Sequence, residues 1–181
     1  MKQTLALILI LCLTFTGATA QGRKAVETST DVAMFAPAAV GAGVALLKGD
    51  NKGLLQLGES LVASVAVSYA LKYTVKKERP DGSDIHSFPS NHTGFSFAGA
   101  TFLQKRYGWR WGVPAYLVSG YVAWGRVYAK RHDVWDVLAG AAIGVGSGLL
   151  FTTPFAKEHD MVVSPTLGAD GGYGVYLSFR F

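Results

Sequence analysis

The chain has one cysteine, Cys12, among its 181 residues. A lone cysteine closes no internal disulfide and supplies no Cys pair for a zinc site. An HExxH run is also missing, and no Asp-x-Asp cluster stands in an apolar setting, so the common short metal-binding patterns are absent. Charged residues are scarce at 16 %. They form neither an aromatic-basic stripe nor a helix with a basic reading face, which argues against nucleic acid as a partner. Long uninterrupted apolar runs are lacking too. Pro37 breaks the first apolar stretch, and Gln56 and Glu59 break the second. Hydropathy therefore leaves two arrangements open: a globular bundle packed through glycine and alanine, or a set of short membrane spans.

Residues 1–20 have the pattern of a secretory signal peptide. Lys2 is a short basic start, Leu5 to Phe15 is an apolar core, and Ala18-Thr19-Ala20 is a small-residue cleavage site. Cys12 lies inside the apolar core after Leu11, which does not suit lipid attachment. Its removal with the leader would place a cysteine-free chain in the periplasm or cell envelope. The formal net charge is +5. Most cations fall in three clusters: Lys72, Lys76, Lys77 and Arg79; Lys105, Arg106 and Arg110; Arg126, Lys130 and Arg131. That bias suits an anionic substrate or an anionic membrane surface.

The periodicity is helical over most of the chain. Residues 21–31 are polar and read as mobile. Val32 to Leu47 is apolar and stops at the turn Lys48 to Gly53. Leu54 to Lys77 carries Leu54, Leu57, Leu61, Val65 and Ser68 along one stripe, and Pro80 ends it. Asp81-Gly82-Ser83-Asp84 is turn chemistry. Asn91 to Arg106 follows, with Ser90 or Asn91 as N-cap, then Trp111 to Trp124 and Val134 to Phe151. Beyond these, Met161 to Leu167 and Tyr173 to Phe181 alternate around a glycine-rich centre, a hairpin pattern. The fold class expected is mainly α: a helical domain over residues 21–155 with a C-terminal β-hairpin tail over 156–181.

Three polar blocks stand out in this apolar background. In the first, Lys72 and Arg79, seven apart on the expected helix, offer a point charge and a bidentate fork to an oxyanion. In the second, Pro89-Ser90-Asn91-His92 places a hydroxyl, free backbone N–H groups and an imidazole at a helix start, a ready anion site. In the third, Arg126 precedes His132 and Asp136, whose i, i+4 spacing lets a carboxylate fix one imidazole nitrogen and free the other. Taken alone, each block also fits a solvated basic helix end, an ordinary cap, or acids in a first helical turn. His86 and His159 read as loop histidines without a chemical role.

In order and spacing these blocks resemble the type 2 phosphatidic acid phosphatase/haloperoxidase superfamily. Its pattern is Lys-x6-Arg-Pro, then Pro-Ser-Gly-His, then Ser-Arg-x5-His-x3-Asp. The matching positions are Lys72, Arg79 and Pro80; Pro89, Ser90 and His92; Arg126, His132 and Asp136. The resemblance implies a helical bundle and metal-independent phosphomonoester hydrolysis without a cofactor. It implies His132 as the nucleophile that forms a phosphohistidine, Asp136 as its orienter and His92 as the acid. Lys72, Arg79, Ser90, the Asn91 backbone and Arg126 would cradle the phosphoryl oxygens. Two positions depart from the pattern. Asn91 replaces a glycine, so a left-handed backbone is expected there, and Gly125 replaces a serine next to Arg126.

The leading functional expectation is a phosphatase acting on lipid phosphates at a membrane. Trp109, Trp111, Tyr116, Tyr121 and Trp124, bordered by Lys105, Arg106 and Arg110, suggest an interfacial rim. The alternatives are a soluble non-specific acid phosphatase, a vanadate-dependent haloperoxidase, and a non-enzymatic envelope protein with a β-partner.

Overall fold

The computed structural model describes residues 22–155 and the backbone of residues 161–167 and 173–179. The expected signal peptide and His159 lie outside the described residues. Six helices make up the body: α1 (Gly22–Ala33), α2 (Ala36–Leu47), α3 (Asn51–Val75), α4 (Asn91–Tyr107), α5 (Trp109–Tyr128) and α6 (Val134–Phe151). The protein is mainly helical. Two tail segments, β1 (Met161–Leu167) and β2 (Tyr173–Phe179), run antiparallel with Met161 opposite Phe179 and Leu167 opposite Tyr173.

Of the polar stretch 21–31, read as mobile from its composition, residues 22–31 are instead most of helix α1. It keeps Thr30 and Ala33 inside, and its burial depends on α5, which no local pattern reveals. Helix α3 ends at Val75 rather than running on to Lys77. Its C-cap Lys76 turns left-handed at φ 42.

Helix α4 is the centre and touches each of the other five. Phe102 and Leu103 are fully buried in it, packed with Leu57 of α3 and Ala115 of α5. Its closest neighbour is α6. A Cβ added at Gly144 would lie 2.2 Å from the Gly94 carbonyl oxygen, and one at Gly140 would lie 2.4 Å from that of Ser90. The two backbones meet where only glycine fits. That contact brings the first turns of α4 and α6 together.

The remaining helical surface is apolar outward. The buried face of α3 carries Gln56, Ser60, Ser64, Ser68 and Lys72, whereas Leu55 and Val62 are each 69 % exposed. Leu117 of α5 and Leu150 of α6 are 71 % and 77 % exposed. In water such a surface would be an aggregation liability, and in lipid it is the expected one. Three segments, Gly22–Leu47, Asn51–Val75 and Val134–Phe151, are long and apolar enough to cross a membrane. The last has 18 residues and so spans about 27 Å, close to a bilayer core.

Substituting Gly144 with valine is expected to destabilise the protein by ~1–3 kcal/mol, an overpacking cost against rigid backbone. Thermal unfolding in detergent tests this, and an unchanged midpoint would show that α4 and α6 can separate freely.

Candidate functional site

The three polar blocks meet at one end of the bundle. The end of α3, the loop 76–90, the start of α4, the end of α5 and the loop before α6 enclose a cavity of about 310 Å³. Lys72, Arg79, Asn91, His92, Arg126 and His132 line it, together with Tyr69, Tyr73, His86 and Arg131. Asp136 and Ser90 are fully buried and are not among the lining residues.

Local rules explain several placements. Ser90 caps α4, accepting from the Thr93 backbone N–H at 3.5 Å and from the Thr93 hydroxyl at 3.1 Å. The cap fixes Asn91 and His92 in the first helical turn, with that turn's free N–H groups. Asp133 caps α6 in a reciprocal box with Asp136. His132 precedes this cap, so its pairing with Asp136 bridges a helix start rather than one helical face. Its Nδ1 lies 3.5 Å from Asp136 Oδ2, too long for a hydrogen bond.

Arg79 reaches the cavity differently from the sequence expectation. It follows the end of α3, in a loop held by Asp84. That carboxylate accepts from Arg79 Nε at 2.7 Å and from the His86 backbone N–H at 2.7 Å. The His86 N–H and the Arg79 guanidinium hold the Asp84 carboxyl below its ordinary value. Asp84 is thus more than a turn residue: it aims the fork. Arg79 Nη1 stands 3.1 Å from the Arg131 carbonyl and 3.3 Å from His132 Nε2. Lys72 Nζ donates to the His86 carbonyl at 2.7 Å, so His86 serves through its backbone.

Asn91 corrects a second expectation. Among the described non-glycine residues only Lys76 and Lys130 have positive φ, and Asn91 is the first residue of α4. A helix start does not need the left-handed conformation that the family glycine suggested. The Asn91 side-chain oxygen is buried without a hydrogen-bond partner, and Asn91 lines the cavity.

Several polar partners were not legible in the three blocks. Asp136 accepts from Lys77 Nζ at 2.8 Å, from the Ser87 hydroxyl and from the Asp133 backbone N–H. Lys77 also binds Asp133 at 2.5 Å. Asp31 of α1 contacts both Arg126 and His92. Arg131 is pinned by Asp81 at 2.9 Å and Glu27 at 3.0 Å. These partners come from distant sequence positions, and no short spacing announces them.

The electrostatics separate the two imidazoles from ordinary surface histidines. Burial holds His132 below its usual value; Arg79, Lys72 and Arg126 add to this and Asp136 opposes it. This favours the neutral imidazole, the form whose ring nitrogen can attack. Burial and the Arg126 charge push His92 down to about 4, and His132 pushes the same way, while Asp31 resists. Lys72, Arg79 and Arg126, with the His92 and His132 imidazoles and free helix N–H groups around the same cavity, suit a doubly charged oxyanion and an in-line attack on it.

A family model describes the same architecture. The PAP2 superfamily model matches residues 53–160. The chain belongs to the PAP2 superfamily. It is a phosphoric monoester hydrolase. It is 28 % identical over 175 residues to a lipid A 4'-phosphatase from Helicobacter pylori, covering 89 % of this chain and 88 % of that one. It is 40 % identical over 82 residues to a lipid A 1-phosphatase from Porphyromonas gingivalis, a stretch that covers 44 % of this chain and 18 % of the relative. In fold it is similar to the crystal structure of Aquifex aeolicus LpxE. The TM-score is 0.52 at 24 % identity, covering 66 % of this chain and 83 % of that one.

Part of the aromatic-cationic border expected beside the site lies elsewhere. Lys105 and Arg106 fall in the last turn of α4 and Trp109 opens α5, about 25 Å from the His92 end at 1.5 Å per residue. At the cavity end the exposed aromatics are Tyr69, Tyr73, Trp124, Tyr128 and Trp135.

The low value of His92 sets a pH dependence. An acid catalyst must be protonated, and the protonated fraction of His92 grows as pH falls, while burial disfavours protonation of His132. kcat/KM is expected to rise between about pH 8 and about pH 6. A flat or falling profile, measured on a substrate whose own ionisation is known, would count against His92 as the acid.

Proposed function

We propose that this chain hydrolyses lipid phosphomonoesters by passing the phosphoryl group to His132 and then to water. The observation that carries this reading is the convergence of Lys72, Arg79 and Arg126 with His92 and His132 on one cavity. Arg79 Nη1 lies 3.3 Å from His132 Nε2, so a phosphoryl oxygen held by Arg79 would keep phosphorus in reach of that nitrogen. The His132 lone pair attacks phosphorus and the bond to the leaving oxygen breaks. His92 gives that oxygen its proton and leaves as the neutral imidazole. Water then attacks the phosphohistidine, His92 takes the water proton, and inorganic phosphate departs. Asp136, held by Lys77 and Ser87, orients the ring and stabilises its positive charge. Lys72, Arg79, Arg126 and the N–H groups behind Ser90 and Asn91 neutralise the transferring group.

The names of the relatives favour a lipid phosphate, a phosphate of lipid A among them, and the outward apolar helices favour a membrane setting. In this reading residues 1–20 are a leader, residues 21–155 are the catalytic domain and residues 156–181 are an accessory tail. The cavity faces the periplasm or cell envelope.

His132→Ala is expected to abolish turnover, and His92→Ala to lower kcat by ~10²–10⁴-fold. Failure to trap a phosphoenzyme by rapid quench in the wild type would remove the covalent step. In EDTA, kcat/KM for a micellar lipid phosphate is expected to exceed that for a soluble aryl phosphate of similar leaving-group pKa. Equal values, with no binding to anionic vesicles, would favour a soluble, non-specific phosphatase.

A further inference from the structure

We propose that Asp31 is a positioning residue that aims His92 and favours its charged form, so that the working site includes helix α1. The proposal rests on the reading of His92 as the acid. One carboxylate oxygen carries it: Asp31 Oδ1 is 2.9 Å from His92 Nε2 and 2.5 Å from Arg126 Nη1. Asp31 lies in none of the three polar blocks and outside residues 53–160, the span matched by the family model.

The position of Asp31 is built rather than incidental. Helix α1 docks on α5 through Gly125. A Cβ at Gly125 would meet Thr30 Cγ2 at 2.4 Å and Val26 Cγ1 at 3.1 Å. The Ser29 and Tyr121 hydroxyls are 2.7 Å apart, and Glu27 pairs with Arg131. Gly125 is the position where the superfamily pattern has serine. Its missing side chain is the room that α1 occupies, and Asp31 follows one residue after Thr30.

The chemistry needs such a group. The charged or titratable groups acting on His92 are Asp31 from α1, Arg126 from α5, and His132 from the loop before α6. Arg126 and His132 disfavour the imidazolium, and so does burial. Asp31 is the one that favours it. It also holds Nε2, which leaves Nδ1 to deliver the proton. In the step, the proton moves from Nδ1 to the leaving oxygen as the P–O bond breaks, and it is replaced from the attacking water in the second half. Asp31 stays a carboxylate throughout. His92 thereby has an aiming carboxylate, as His132 has Asp136.

The test compares leaving groups in the full chain in detergent. Asp31→Asn should lower kcat by about 10²-fold on an alkyl or lipid phosphate, whose alcohol needs a proton. On an aryl phosphate with a strongly acidic phenol it should change kcat by only a few-fold. Gly125→Ser, which forces α1 off α5, should show the same selectivity. Equal losses on both substrates, no loss on either, or a lower KM with unchanged kcat would overturn the proposal; the last would make Asp31 a mere place-holder for the phosphate. A second arm needs no turnover: the His92 imidazole, titrated by NMR, should have a lower midpoint in Asp31→Asn than in the wild type. An unchanged midpoint overturns the proposal. A wild type that hydrolyses neither substrate would sink the phosphatase reading instead, and the titration would still decide whether Asp31 acts on His92.

Discussion

Lys72, Arg79 and Arg126 surround one cavity, and their mutual repulsion governs the rest of the site. Like charges close together in a poorly hydrated setting are costly unless each is compensated. Lys72 leans on the His86 carbonyl, Arg79 on Asp84, and Arg126 on Asp31. The compensating groups come from two segments, so the loop 76–90 and helix α1 must both close on the cavity. The site is thus poised for an anion, since a bound phosphate would relieve strain that the surrounding acids only partly offset.

The backbone supports this through close approach. Gly140 and Gly144 let α6 lie against the first turns of α4. Larger residues there would separate Ser90 and His92 from Asp136 and His132. The same contact is reinforced by the Ser90 N–H, which donates to the Asp136 carbonyl at 3.0 Å. At the far end, a buried Arg106–Asp50 pair at 2.6 Å joins the start of α3 to the end of α4. Tyr107 donates to the same carboxylate at 2.6 Å. Both ends of α4 are therefore fixed by polar locks, and its middle is fixed by Phe102 and Leu103.

The sequence made legible what local physics decides. Ser90 is a strong cap, so the start of α4 and the neighbourhood of His92 could be read, whereas Asp133 was read only as an acid of the first turn and its cap, which leaves His132 outside α6, was not. The boundaries of α6, Val134 and Phe151, were legible because its Gly/Ala-rich apolar run is sharply bounded. The route of Arg79 was not. A seven-residue spacing reads as two helical turns, but Lys76 adopts a left-handed backbone and the chain leaves the helix. That choice is set by Asp84 and Arg131 across the loop. Helix α1 was also illegible, because a mostly polar stretch carries too little hydrophobic signal until Gly125 provides a seat for Thr30.

The stripe read on α3 shows why composition left the membrane question open. Leu54, Leu57, Leu61, Val65 and Ser68 do lie on the inward side, with Leu57 and Ser68 buried and none of the five exposed, and the polar Ser60 and Ser64 are buried beside them. The bundle interior is lined with small and polar residues, and the larger aliphatics Leu55 and Val62 face outward. A helix with serines turned to its neighbours and with Leu55 and Val62 turned outward suits lipid rather than water. The side with the serines carries Lys72, one turn beyond Ser68 and at the cavity. The polar stripe that avoids the bilayer is thus continuous with the cation that meets the phosphate.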